Sequence, residues 1–421
     1  MGLLDKIKNL FGSKEQTEII VSPELSVETE TVPAFDYVSL AAAFTGMKNK
    51  KKETVCRIDT RAVSTEKLCM AILADGDSTS AVRGERGAQL ACAAAEAAFQ
   101  AFNAETVLNS MDERKRYEAF LLLAKDILVR WKTAVANDLA KEPLDEGEAA
   151  YDVELIAALC TSEYTLIVRC GQGACVILDE KGSPSSAFPR TRKKEIIDGG
   201  VLCSRNAMMN FRFHYTESSP AAIWLYNYGV DRAHSKVEDL HATTAQLSYH
   251  MAENGINACK TMLEEKLEQI AESKNFGDVS ATGILNKHIL EKNKSTLEHD
   301  IKYHELRCQA EEMRLRLAAI MRQLRETQTA LKTISERMES SRSELEEMSS
   351  NLWSIPGLEL SAVELEGLRD GLKANEEKKQ ALENTAETLQ TERDLLNEQL
   401  AALSEQMKSL TEPTEKKGDT K

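Results

Sequence analysis

Residues 68–76 read Leu68-Cys69-Met70-Ala71-Ile72-Leu73-Ala74-Asp75-Gly76, and beyond a short polar loop the chain resumes as Gly84-Glu85-Arg86-Gly87-Ala88. A continuous apolar run that stops at an Asp-Gly pair describes a buried strand ending in a turn. Asp75 therefore stands where a sheet can present a carboxylate, and Gly76 lets a backbone carbonyl approach a ligand closely. Gly87 and Ala88 open an alanine-rich segment that reads as a helix over 85–102. An acid at a strand end, a small-residue loop and a helix start make a phosphate-handling site the first expectation.

Working outward, short apolar or alternating runs bounded by Gly, Asp, Ser or Pro predict strands at 37–44, 154–159, 164–170, 174–178, 211–215, 222–226 and 279–285. Helices are predicted at 111–140, with apolar positions Phe120, Leu121, Ala124, Ile127, Leu128 and Trp131, and at 237–272. Groups of strands separated by long helices imply an α+β domain, two packed sheets flanked by helices, over 35–286.

From about 287 onward glycine, proline and aromatics nearly vanish while Glu, Lys, Arg, Gln and Leu take over. Leu306, Ala310, Met313, Leu317, Ile320, Leu324, Thr327, Leu331, Ile334, Met338, Ser341, Leu345, Met348 and Leu352 alternate at spacings of three and four, the seam of a coiled coil. Pro356-Gly357 interrupts it, and a second seam runs from Leu368 through Leu382, Leu396 and Leu403 to Leu410. Two heptad arms over 287–411 with a turn near 354–358 fold most simply as an antiparallel helical hairpin, with a kinked parallel homodimer as the competitor. At ~1.5 Å per residue the first arm would reach roughly 70 Å, which suits a partner or a second copy of the chain.

The remaining segments are short. Residues 1–12 place Leu3, Leu4, Ile7, Leu10 and Phe11 on one helical face, either a docking or membrane-surface helix or a terminal helix over an apolar patch. Residues 13–34 read as a flexible linker and 412–421 as a disordered tail. A formal net charge of −15 with no segregated basic surface argues against nucleic acid as a partner. Nine scattered cysteines without a C-x-x-C pair imply a reducing, cytoplasmic setting, and no apolar stretch is long enough for a transmembrane segment. Seven histidines form no H-E-x-x-H motif, and there is no Walker loop and no G-x-S-x-G. The basic runs 48–52 and 190–194 read as solvated loops or as receivers of a phosphopeptide.

The order of motifs in 35–285 resembles the type 2C metal-dependent serine/threonine protein phosphatases, the PPM family, especially their compact bacterial forms. The stretch Cys56-Arg57-Ile58-Asp59 looks like the segment before the family's first buried strand, Ala74-Asp75-Gly76 matches its Ala-Asp-Gly, and Gly87-Ala88 matches its helix start. The resemblance implies a PPM-like two-sheet sandwich and a two-metal site in which carboxylates hold Mn²⁺ or Mg²⁺ and a bridging water attacks phosphorus. On it, Asp59, Asp75 and the Gly76 carbonyl would be metal ligands, and Arg57 or Arg83 would contact phosphate.

Three positions depart from the family. Gly171-Gln172-Gly173 puts Gln172 where an acid is usual, Tyr228 stands at the metal-binding acid of Tyr228-Gly229, and Gly277 replaces the terminal ligand, with Asp278 one position late. A phenol or a glycine supplies little of the charge that draws a divalent cation out of water. The expectation is a degenerate phosphatase-like protein that binds a phosphoprotein or kinase, with the coiled coil as scaffold or self-association arm. The alternative is an active Mn/Mg-dependent phosphatase with a reduced site that uses Asp59 and Asp75, with Asp231 or Asp278 as a substitute ligand.

Overall fold

The computed structural model describes residues 35–47, 57–76, 82–105, 108–190, 201–273, 277–351 and 358–411. The expected N-terminal helix, the linker, the tail, the basic runs 48–52 and 191–194, and the hairpin turn up to 357 lie outside these residues.

Among the described residues, ten strands form two antiparallel sheets. The first has the order β1 (Tyr37–Phe44), β10 (Val279–Asn286), β9 (Ala222–Tyr226), β6 (Ala174–Leu178) and β7 (Pro184–Ser186). The second has the order β2 (Ile58–Ser64), β3 (Leu68–Asp75), β4 (Glu154–Thr161), β5 (Thr165–Cys170) and β8 (Phe211–Thr216). Alternate residues of each inner strand face opposite layers. Cys69, Ala71, Leu73, Ile156 and Ala158 meet Cys175, Ile223, Leu225 and Ile284 between the sheets. Met70, Ile72, Ala74, Leu155 and Ala157 instead pack under α1 (Gly84–Glu105) and α2 (Glu113–Lys141), and a single turn, α3 (Ala207–Asn210), leads into β8.

The outer face of the first sheet is covered by α5 (Val237–Glu272), whose Leu240, Leu247, Met251, Cys259 and Leu263 pack on Trp224, Tyr226 and Ala281. The sequence predicts one helix there. The backbone breaks at Gly255, with φ +81° and ψ −179°, a conformation that glycine tolerates, so the segment is two helices around a kink. Strand β2 escapes sequence reading because Asp59-Thr60-Arg61-Ala62-Val63-Ser64 is an edge strand with few apolar residues. Strand β7 escapes it as well, since three residues give no period.

A short helix, α6 (Lys287–Lys292), leads into α7 (Lys294–Asn351), which lies antiparallel to α8 (Leu358–Thr411). His299 Nε2 lies 2.7 Å from the Leu410 carbonyl, while Arg342 meets Glu376 near the far end. Ala310, Ile320, Leu324 and Met338 of the first seam and Leu396 and Leu403 of the second are buried, as the heptad positions require. The base of the rod joins the first sheet's helix layer through Leu290 and Leu297.

Candidate functional site

The site lies where the inter-sheet face ends, at the C-terminal ends of β3 and β9 and the start of β4. The register sets Ile58 and Glu154 opposite Asp75 on its two sides and Ala74 opposite Asp59. Opposed residues share a face, so Asp75, Glu154 and Ile58 look between the sheets while Asp59 looks toward α1. There Asp59 sits 3.5 Å from Arg61, which also binds Glu96 of α1 at 2.7 Å. The structure thus does not bring Asp59 and Asp75 into one ligand set, and buried Ile58 takes the place across from Asp75.

Asp75 instead meets an amide. Asn227, 2% exposed, donates through Nδ2 to Asp75 Oδ2 and to the Asp278 carbonyl, both at 2.8 Å. Its Oδ1 accepts from the backbone N–H groups of Ser280 at 3.0 Å and Val230 at 3.2 Å. The second of these caps α4 (Tyr228–Ala233), and Tyr228 begins that helix with its ring partly in solvent. All of this amide's strong hydrogen-bonding groups are used, which fixes its orientation.

Asp278 is 1% exposed, and its carboxylate accepts from the Gly46 N–H at 3.1 Å and the Arg57 N–H at 2.7 Å. Arg57 meets it through its backbone, and the Arg57 carbonyl accepts from the Gly76 N–H at 3.0 Å. Gly76 is irreplaceable on steric grounds, because a Cβ there would overlap the Gly84 carbonyl at the start of α1. Gly277 precedes Asp278 without a side chain to offer. Asp231 is held by Arg190 at 2.8 Å. Arg83, a sequence candidate for phosphate, is 2.6 Å from Glu142 and 2.7 Å from the Tyr151 hydroxyl, beside α2.

Three residues that sequence reading missed complete the site. Glu154 is pushed up to about 8, first by burial and then by Asp75, against a hydrogen bond from the Gln172 backbone. It is therefore mostly neutral at neutral pH. Arg169, 5% exposed, donates to the Gly173 carbonyl at 3.1 Å and lies 4.6 Å from the Phe188 ring centre, an internal cation near these acids. Burial lowers its pKa, opposed by the neighbouring Asp231 and Glu154. Asn227 is the third. Gln172 lies between Gly171 and Gly173, both with positive φ, and its Oε1 is buried with no hydrogen-bond partner among the described residues.

These side chains do not fit a pair of divalent cations. Such a cage needs several charged oxygens converging on one space. Here Asp59 faces away, Asp278 is occupied by backbone amides, Glu154 favours its neutral form, and an amide already donates to Asp75. Among the described residues no helix is long and apolar enough to cross a membrane.

A family model described as protein phosphatase 2C matches residues 45–272. No curated protein sequence matches the chain. Similar solved structures include RsbX in complex with magnesium, at 10% identity and TM-score 0.37, covering 59% of this chain and 94% of that one. A bacterial serine phosphatase is similar at 10% identity and TM-score 0.41, covering 59% and 97%. The Mycobacterium tuberculosis serine/threonine phosphatase PstP/Ppp is similar at 13% identity and TM-score 0.41, covering 60% and 99%. The family model spans more than half of the 421 residues, and the chain belongs to the protein phosphatase 2C family.

Proposed function

We propose that the chain is a non-catalytic member of its family, a phosphatase-like domain that binds a phosphoprotein or kinase and carries a helical arm that scaffolds the partner. The observation that carries this reading is the 2.8 Å hydrogen bond from Asn227 Nδ2 to Asp75 Oδ2. The partly positive amide hydrogen there takes the place of the positive charge that a metal ion would otherwise set against the carboxylate. It does so without desolvating a divalent cation, whose dehydration only several negative ligands can offset. The buried Arg169 guanidinium adds fixed positive charge near the same acids.

Full-length protein with Mn²⁺ or Mg²⁺ and a generic aryl phosphate should show no metal-dependent turnover, and Asp75→Asn should leave that baseline unchanged. Metal-dependent turnover that Asp75→Asn abolishes would replace this reading with an active phosphatase using a reduced site. The specific observation on that side is the Asp75–Glu154 pairing, which puts two carboxyl groups side by side at the sheet end.

A further inference from the structure

We infer that Asp239, His304 and Cys308 form a binding site for a thiophilic divalent cation of the zinc class, at the junction where the helical rod meets the globular domain. The three belong to two elements: Asp239 to the first turn of α5, and His304 and Cys308 to the base of α7. On a helix, positions four apart share a face, so the imidazole and the thiol are presented together. Cys308 Sγ lies 3.3 Å from His304 Nε2, and Asp239 Oδ1 lies 3.6 Å from the same nitrogen. One donor atom from each residue falls within 4.8 Å of the other two.

Those separations suit a tetrahedral ion. With metal–ligand bonds of about 2.0–2.3 Å, the edges of a tetrahedron are about 3.3–3.8 Å. Thiolate, imidazole and carboxylate together select zinc or cobalt over magnesium or calcium, which prefer oxygen alone. Binding releases the Cys308 thiol proton to solvent, since the thiolate is the ligand. Cys308 is exposed, which gives the ion an entry path and leaves a fourth position for water.

The surroundings hold the ligands in place. Asp239 Oδ2 accepts from the Lys236 N–H at 3.2 Å and the Ser235 hydroxyl at 3.1 Å, so its Oδ1 is the oxygen turned toward His304. The other acids beside the site are paired, Glu311 with Lys236 and Arg307 and Glu238 with Arg307 at 3.8 Å. An ion held by both elements would cross-link α5 to α7 and fix the direction in which the rod leaves the domain. This site shares no residue with the Asp75 end, and it stands whether or not that end binds metal.

The test uses full-length protein titrated with Co²⁺ alone and then with Zn²⁺. One equivalent of cobalt should give a thiolate-to-metal charge-transfer band that zinc displaces. Cys308→Ser should abolish the band, and His304→Ala and Asp239→Asn should each weaken zinc binding by about tenfold or more. Thermal melts in chelator check that each variant still folds, and zinc should slow amide exchange at the α5–α7 junction of the parent protein. No band, a band that survives Cys308→Ser, or one unchanged by His304→Ala and Asp239→Asn, which marks a lone thiol, would overturn the site.

Discussion

Asn227 and Asp75, 152 positions apart and at the ends of strands in different sheets, are joined by a 2.8 Å hydrogen bond from amide nitrogen to carboxylate oxygen. The same amide group holds the Asp278 carbonyl, and its oxygen takes two backbone N–H groups. One buried side chain thereby ties together the end of β3, the start of α4 and the start of β10.

Asn227→Ala removes four hydrogen bonds from a buried position and leaves their partners desolvated. Stability measured by urea unfolding should fall by roughly 2–4 kcal/mol. A loss below about 0.5 kcal/mol would show that solvent replaces the amide at little cost. Asn227→Asp should be destabilising in chelator and regain stability with Mn²⁺, because it sets a second carboxylate against Asp75.

The raised pKa of Glu154 makes folding depend on pH. The folded state keeps a proton that the unfolded chain releases above its ordinary value of 4.5, up to about 8. Within that window the native state binds more protons, so stability is fully present below it and declines as pH rises through it, with a slope of at most ~1.4 kcal/mol per pH unit. Glu154→Gln should flatten the decline, as read from unfolding midpoints at pH 5, 6, 7 and 8. An unchanged slope would place the titration elsewhere.

The rod should be held by its seam and barely by its ion pairs. Leu396 is 3% exposed, and Leu396→Ala should lower rod stability by about 2–4 kcal/mol through lost burial and a cavity. The exposed Arg316–Glu392 pair should contribute less than about 1 kcal/mol, so Arg316→Ala should leave the helical circular dichroism melt nearly unmoved. Equal effects of the two substitutions would contradict this ranking.

Because α7 and α8 close their seams on each other, light scattering of the full chain should give the mass of one chain. Twice that mass, lost on Leu324→Glu, would mean that the arms exchange between copies instead.

The sheet cores and the rod were legible because burial imposes period two on strands and alternating threes and fours on packed helices. Strands β1, β6 and β9 have the residue limits that the apolar runs predict. Gln172, Tyr228 and Gly277 lie at the sheet end where Asn227, Glu154 and Asp278 sit. What failed was orientation: Asp59 looked like a partner of Asp75 by order along the chain, but the strand register turns it to the helix face. Asn227 offered only the ordinary signal of a helix N-cap, three residues before Val230, and its second role depends on Asp75 in the other sheet. Glu154 was visible as a lone acid opening an apolar strand, and only pairing with Asp75 gives it chemistry. Likewise, Arg169 sits in a strand whose other residues are apolar or small, and its inward direction follows from register.

On the proposed reading, internal donors and no divalent cations neutralise the acids at this sheet end. Calorimetric titration of Mn²⁺ into full-length protein carrying Cys308→Ser, which removes the thiol site, tests it most directly. The expected result is no saturable binding that Asp75→Asn changes. Two tightly bound manganese ions per chain, lost on Asp75→Asn, would contradict it.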